Sequence, residues 1–206
     1  MEAEARDSVY DAVLLPALFY AKQDRDRGLL TEADTQFVMQ ATRDILDVLG
    51  QEAAAPPLPD TAAVTLLGYP ARDEADALAL EMVRRLLDPA GYRMTVSAPA
   101  MLTAEVVAWV EQHRAGLLCI GTVAPGGLSQ ARLLCKRLRS QYPGLKIVVG
   151  RWGLHDEMAA DRLHLLAAGA DHVETTVADT QRMLVQLRPP ALGHAASEPP
   201  ASAVLN

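Results

Sequence analysis

The sequence has little cysteine, few aromatic residues, no long apolar run and a deficit of positive charge, and each shortage narrows what the chain can be. Two cysteines in 206 residues, Cys119 and Cys135, cannot build a disulfide framework and stand in no metal-ligand spacing, so a reducing, cytoplasmic compartment is expected. Aromatics make up 4% and the apolar residues are mostly Leu, Ala and Val. That balance argues against an all-β core and suits helices packed on a short buried sheet. Nowhere do ~18 apolar residues run together, as a membrane-spanning helix requires. Residues 1–7 have neither the basic start nor the apolar stretch of a secretory leader, and none is expected. Nineteen Lys and Arg against 26 Asp and Glu give a formal net charge of −7, so no nucleic-acid partner is expected.

What is present is enough for one domain with an accessory segment: half of the residues are hydrophobic, ample for a core. Residues 8–49 read as helix. Val9, Val13, Ala17 and Tyr20 form one apolar stripe and Phe37, Ala41, Ile45 and Val48 another, so segment 1–50 is predicted to be a helical hairpin. Gly28 suits the end of its first helix, Thr31 with Asp34 an N-cap of the second, and Gly50 its end. Pro16 should kink or interrupt the first helix. Residues 51–62 turn to Ala and Pro, including Pro56, Pro57 and Pro59, and read as a linker.

From Val64 onward, short apolar runs alternate with helical stretches. Strands are predicted at 64–68, 94–96, 117–121, 147–150 and 172–174, with helices near 74–87, 104–113, 128–140, 156–168 and 178–187. Runs that are apolar on consecutive positions are buried on both faces, and helical connections favour parallel pairing. The fold class is therefore α/β: a five-stranded parallel doubly wound, flavodoxin-like sheet over 63–188, preceded by the hairpin. Residues 189–206 carry Pro199 and Pro200 among small residues without periodicity and read as a disordered tail.

In such a sheet ligands bind beyond the carboxyl ends of the strands, at the topological switch point. The candidate ligand-binding residues are Tyr69, Arg72, Asp73 and Asp76 after the first strand, Ser97 after the second, Thr122, Gly126 and Gly127 after the third, and Arg151 and Trp152 after the fourth. Asp73, Glu74 and Asp76 also suit a helix start, where acids cap free amides, and that is the plainer reading. Gly126-Gly127 lacks the spacing of a dinucleotide fingerprint and the lysine of a phosphate loop, so a tight turn accounts for it more simply. Trp152 either stacks on a planar ligand or lids the sheet edge.

Other chemistries find no support. The third strand ends Ile120-Gly121-Thr122, without the aspartate that a phosphoacceptor needs. No Gly-x-Ser-x-Gly is present, and none of the five histidines (His113, His155, His164, His172, His194) has a nucleophile paired with it. The basic run 132–139 reads as the solvated face of an amphipathic helix, and both cysteines as small core hydrophobes. No catalytic residue and no metal site is expected, and the chain is read as not an enzyme.

Segments 10–18, 24–28, 70–76, 131–139 and 146–152 together resemble the soluble C-terminal region attached to some AI-2E family (PerM-like) membrane transporters, over residues from about 8 to 187. That region in turn looks like a cobalamin-binding-type domain, in which a helical cap precedes a Rossmann-like unit. The resemblance implies a cytosolic regulatory or interaction domain whose partner is the transporter portion or another protein, and it suggests an excised fragment. The cobalamin motif Asp-x-His-x-x-Gly would fall on Asp73 to Leu78. Ala75 stands where the cobalt-ligating histidine belongs, and Leu78, in place of the glycine, crowds the passage for the nucleotide tail. No cofactor is therefore expected. A corrinoid held without a protein histidine, haem or another planar, nucleotide-like ligand belongs to the alternative reading, a small-molecule sensor. The apolar stripes of the hairpin favour a homodimer.

Overall fold

Short apolar runs that only a strand buried on both faces can hide set the plan of the molecule. In the computed structural model, residues 9–51, 64–88, 91–99, 101–153 and 158–187 are described. Residues 1–8, the tail and the predicted linker apart from Gln51, which ends a helix, fall outside them. Strands β1 (Val64–Pro70), β2 (Tyr92–Val96), β3 (Leu117–Val123), β4 (Lys146–Trp152) and β5 (His172–Glu174) pair in parallel, in the order β2-β1-β3-β4-β5. Helices α3 (Glu74–Leu87), α4 (Thr103–Gln112), α5 (Leu128–Gln141), α6 (Met158–Ala167) and α7 (Val177–Gln186) follow them in turn. The α/β doubly wound sheet is as expected. Its order reverses between β1 and β3, which puts the switch point at their C-terminal ends.

β1, β3 and β4 run two residues beyond their predicted limits, because Tyr69-Pro70, Thr122-Val123 and Arg151-Trp152 continue the ladder. Strand alternation sorts two cores. Leu66, Cys119, Val123, Val148 and Trp152 face α3 and α7, while Leu67, Ile120, Ile147 and Val149 face α4, α5 and α6. Each buried aliphatic side chain contributes about 1.5–3 kcal/mol relative to exposure.

The hairpin is present as α1 (Leu15–Asp26) and α2 (Glu32–Gln51), with a π-helical turn, Tyr10–Leu14, leading into α1. Pro16 lies in the first turn of α1. It has no N–H for an i to i−4 bond, and the interruption predicted there is the change from π to α. Gly28 follows α1 at φ 71°. Thr31 and Asp34 cap α2 reciprocally: the Thr31 N–H donates to Asp34 Oδ2 at 2.9 Å and the Asp34 N–H to Thr31 Oγ1 at 3.2 Å.

Tyr10, Leu14, Leu15, Leu18, Phe19, Met39 and Leu46 join the core under α3 and α7. The stripe residues Val13, Tyr20, Phe37, Ile45 and Val48 face outward. Polar ties fix the hairpin against α3: Arg43 pairs with Glu74, and Arg85 bonds the Leu46 carbonyl and, at 2.9 Å, Asp47 Oδ1.

Candidate functional site

The loop after β1 ends in a helix start that the sequence specifies through two acids three residues apart. Asp73 caps α3 by accepting from the Asp76 N–H at 3.3 Å, and Asp76 Oδ2 accepts from the Asp73 N–H at 3.4 Å and the Arg72 N–H at 2.9 Å. The capping reading of these acids is thus the observed one. Asp76 has no solvent exposure. Its other oxygen accepts from the Val123 N–H at 2.7 Å, joining α3 to the end of β3.

The fourth partner comes from α1. Lys22, itself buried, places Nζ 2.9 Å from Asp73 Oδ2 and 3.3 Å from Asp76 Oδ1. Burial pushes the Asp76 carboxyl above its ordinary pKa and Asp73 adds to this, while Lys22 and the Val123 N–H pull the other way. Nothing in the sequence near Asp76 indicates a lysine 54 positions earlier.

A second cluster gathers at the ends of β3 and β4, on the other face. Arg151, buried, donates from Nε to Asp161 Oδ2 at 2.8 Å and from Nη1 to the Gly126 carbonyl at 2.6 Å and Thr122 Oγ1 at 3.2 Å. Gly126 and Gly127 adopt φ 87° and 74° after a cis Ala124–Pro125 bond. A side chain at Gly127 would overlap Thr122 Oγ1, and one at Gly126 the Arg72 guanidinium. The tight-turn reading of the two glycines is what the backbone requires.

Arg151 and Trp152, adjacent in sequence, are parted by strand alternation. Trp152 points to the α3 and α7 face and is fully buried, with Nε1 donating to Thr180 Oγ1 at 3.1 Å. Its indole lies over the paired glycines Gly121 and Gly150, whose missing side chains leave it room. It is neither ligand platform nor edge lid here: it fills the core. Tyr69 is also buried and donates to the Met101 carbonyl at 3.1 Å, and burial, with Asp76 and Glu105 nearby, raises the pKa of its hydroxyl. Ser97 donates from Oγ to the Ala98 carbonyl at 3.2 Å. Of the ten candidates, Arg72 and Gly126 are exposed, and Asp73 and Ser97 are partly so.

The π-helical turn before α1 also reaches the last helix. Asp11 accepts from the Val177 N–H at 2.7 Å and the Ala178 N–H at 3.1 Å, capping α7 from a residue 166 positions earlier. With Phe19 packed against Gly153, the hairpin closes over the strand ends. Burial pushes both cysteine thiols up to about 12, which makes them inert as nucleophiles. Among the described residues, no group of three or more His, Cys, Asp and Glu could hold a metal, and no helix is long and apolar enough to cross a membrane.

The residues present do not fit histidine-ligated cobalamin. Ala75, at the ligand position, is a buried core residue without a nitrogen, and Leu78 packs in the same core. Asp73 is held by Lys22. His113, His164 and His172 lie at helix ends or a strand start that belong to the opposite edge of the sheet; His155 and His194 lie outside the described residues. An adduct threaded between the sheet and α7 would have to displace the indole of Trp152.

No family model matches the chain, and no curated protein matches its sequence. Among solved structures, the monomethylamine corrinoid protein of Methanosarcina barkeri aligns with a TM-score of 0.61 and 15% identity, over 81% of this chain and 76% of that one. A cobalamin-binding protein from Desulfitobacterium hafniense DCB-2 aligns with a TM-score of 0.52 and 14% identity, over 91% of this chain and 97% of that one. Likeness at such identity is one of architecture: the chain has a cobalamin-binding-like α/β fold.

Proposed function

We propose that this chain is a non-catalytic regulatory or interaction domain, a cobalamin-binding-like fold without the cofactor, serving the cytosolic side of an AI-2E-type membrane transporter. The observation that carries the reading is the Lys22 bridge. A cation from the helical hairpin bridges both acids at the switch point and closes the edge at which this architecture receives ligands. Among the described residues, the buried polar groups at that edge, Asp76 and Arg151, are bonded to protein partners. The transporter context rests on the segment likenesses in 8–187.

Arg72, exposed beside Gly126, favours a second reading, a sensor of a planar or nucleotide-like ligand at the loop rim. Absorbance and thermal-shift titrations with hydroxocobalamin, adenosylcobalamin and haemin separate the two. The interaction domain shows no saturable shift with any of them. A sensor at one hundred times its Kd gains about 2.7 kcal/mol and loses that gain in Arg72→Ala.

A further inference from the structure

The helical hairpin presents its outer face to solvent, and that face is apolar. Val13 in the π-helical turn and Tyr20 on α1, with Phe37, Ile45 and Val48 on α2, are between 43% and 74% exposed. Their spacing puts each set on one stripe, with the small residues Ala17 and Ala41 between the large ones. Most other exposed large hydrophobics stand singly, as Leu133 does on α5 and Leu163 on α6, and need no explanation. The hairpin face is different because two antiparallel helices contribute to it together.

We propose that this face pairs with the same face of a second copy of the chain, about a two-fold axis, as a four-helix contact. Two observations, area and shape, favour a copy over another occupant, and charge sets a condition on the contact. The first is area. With large apolar side chains exposing on the order of 150–200 Å² when open, the five offer roughly 500 Å² per protomer, and a pair buries about 1,000 Å², where specific interfaces begin. The second is shape. Each stripe carries one alanine between large residues, so Phe37 or Tyr20 of one protomer can meet an alanine of the other, and a two-fold contact uses each such match twice. The condition comes from the acids. Asp47 pairs with Arg85 of α3 and Asp34 is engaged in the cap of α2, while Asp44, exposed between Phe37 and Val48 and bonded by Gln40 at 2.7 Å, is the charge that the contact has to leave hydrated. The surface lies away from the strand ends, so the inference does not depend on the function proposed above.

Sedimentation equilibrium of the full chain across micromolar concentrations tests it. The parent is expected to reach twice the 22.2 kDa mass of the chain. Phe37→Glu and Val48→Glu, both at solvent-facing positions, should each weaken association at least tenfold with the far-ultraviolet circular dichroism and Tm of the parent. Leu133→Glu, on the other side of the sheet, should leave the dimer intact. A parent that stays at 22.2 kDa throughout overturns the proposal, whether the face is then bare or covered by another part of the chain. So does a dimer that survives Phe37→Glu and Val48→Glu, or one that Leu133→Glu breaks.

Discussion

Lys22 and Asp76 lie 54 residues apart in sequence and 3.3 Å apart in the structure, an ammonium from the first helix against a carboxylate with no solvent exposure. Asp76 also receives three backbone N–H groups, from Arg72, Asp73 and Val123. These partners offset part of the cost of burying the carboxylate, and the hairpin becomes part of that support. Removing the hairpin would expose apolar surface and also strand a carboxylate inside the core.

Lys22→Met should therefore destabilise the chain by about 3–5 kcal/mol, the usual cost of leaving a buried charge without its partner. Lys22→Met with Asp76→Asn should lose at least ~1 kcal/mol less than the two single changes together, because the charge that needed Lys22 has gone. Chemical denaturation of the four proteins measures the coupling; simple additivity would mean that the two groups do not interact.

Gly150→Ala should destabilise by about 1–3 kcal/mol, since its new Cβ would overlap the indole of Trp152. The same change in a Trp152→Ala background should cost far less. Trp152→Ala alone should cost about 3–5 kcal/mol through the cavity it leaves. Thermal unfolding of the set decides, and equal penalties for Gly150→Ala in both backgrounds would refute the packing of the ring on the sheet.

Asp171 gives the chain an acid-sensitive joint. Burial works against its carboxylate, but the Ile147 N–H at 2.8 Å and Arg139 at 2.6 Å, with Lys146 beyond, outweigh burial and hold its pKa below the ordinary 3.8. A carboxylate with a lowered folded-state pKa contributes stability that is complete above 3.8 and fades as the pH falls through the folded value. Asp171→Asn should thus cost roughly 1–3 kcal/mol at neutral pH, and its deficit should shrink on acidification below pH 3.8. A deficit that stays constant with pH would assign the loss to packing.

How much of this could be read from the sequence depended on how local each cause was. The alternation of apolar runs and helices carried the sheet, because burial on both faces leaves a pattern in each segment. The Asp73–Asp76 cap was legible for the same reason: both partners lie within one turn. The Lys22 and Asp11 contacts were not, because each joins residues that only the tertiary fold brings together. Nor does the sequence reveal which side of the π-helical turn and α1 is buried, since Tyr10, Leu14 and Leu18 on one side and Val13, Ala17 and Tyr20 on the other are both apolar. The sequence pattern places Trp152 in a loop because the apolar run stops at Gly150, while the strand continues to the ring that needs that glycine beneath it.

The claim on which the account turns is that the hairpin closes the strand ends, and amide hydrogen exchange tests it directly. The Val177 and Ala178 N–H groups, in the first turn of α7, have no partner within that helix and donate to Asp11, while the Val123 N–H donates to Asp76. All three should exchange as slowly as the amides of β3 and β4, and Asp11→Ala should release the first two while the strands stay protected. Fast exchange at Val177 and Ala178 in the parent, with β3 and β4 still protected, would show a hairpin that opens on its own and contradict the account.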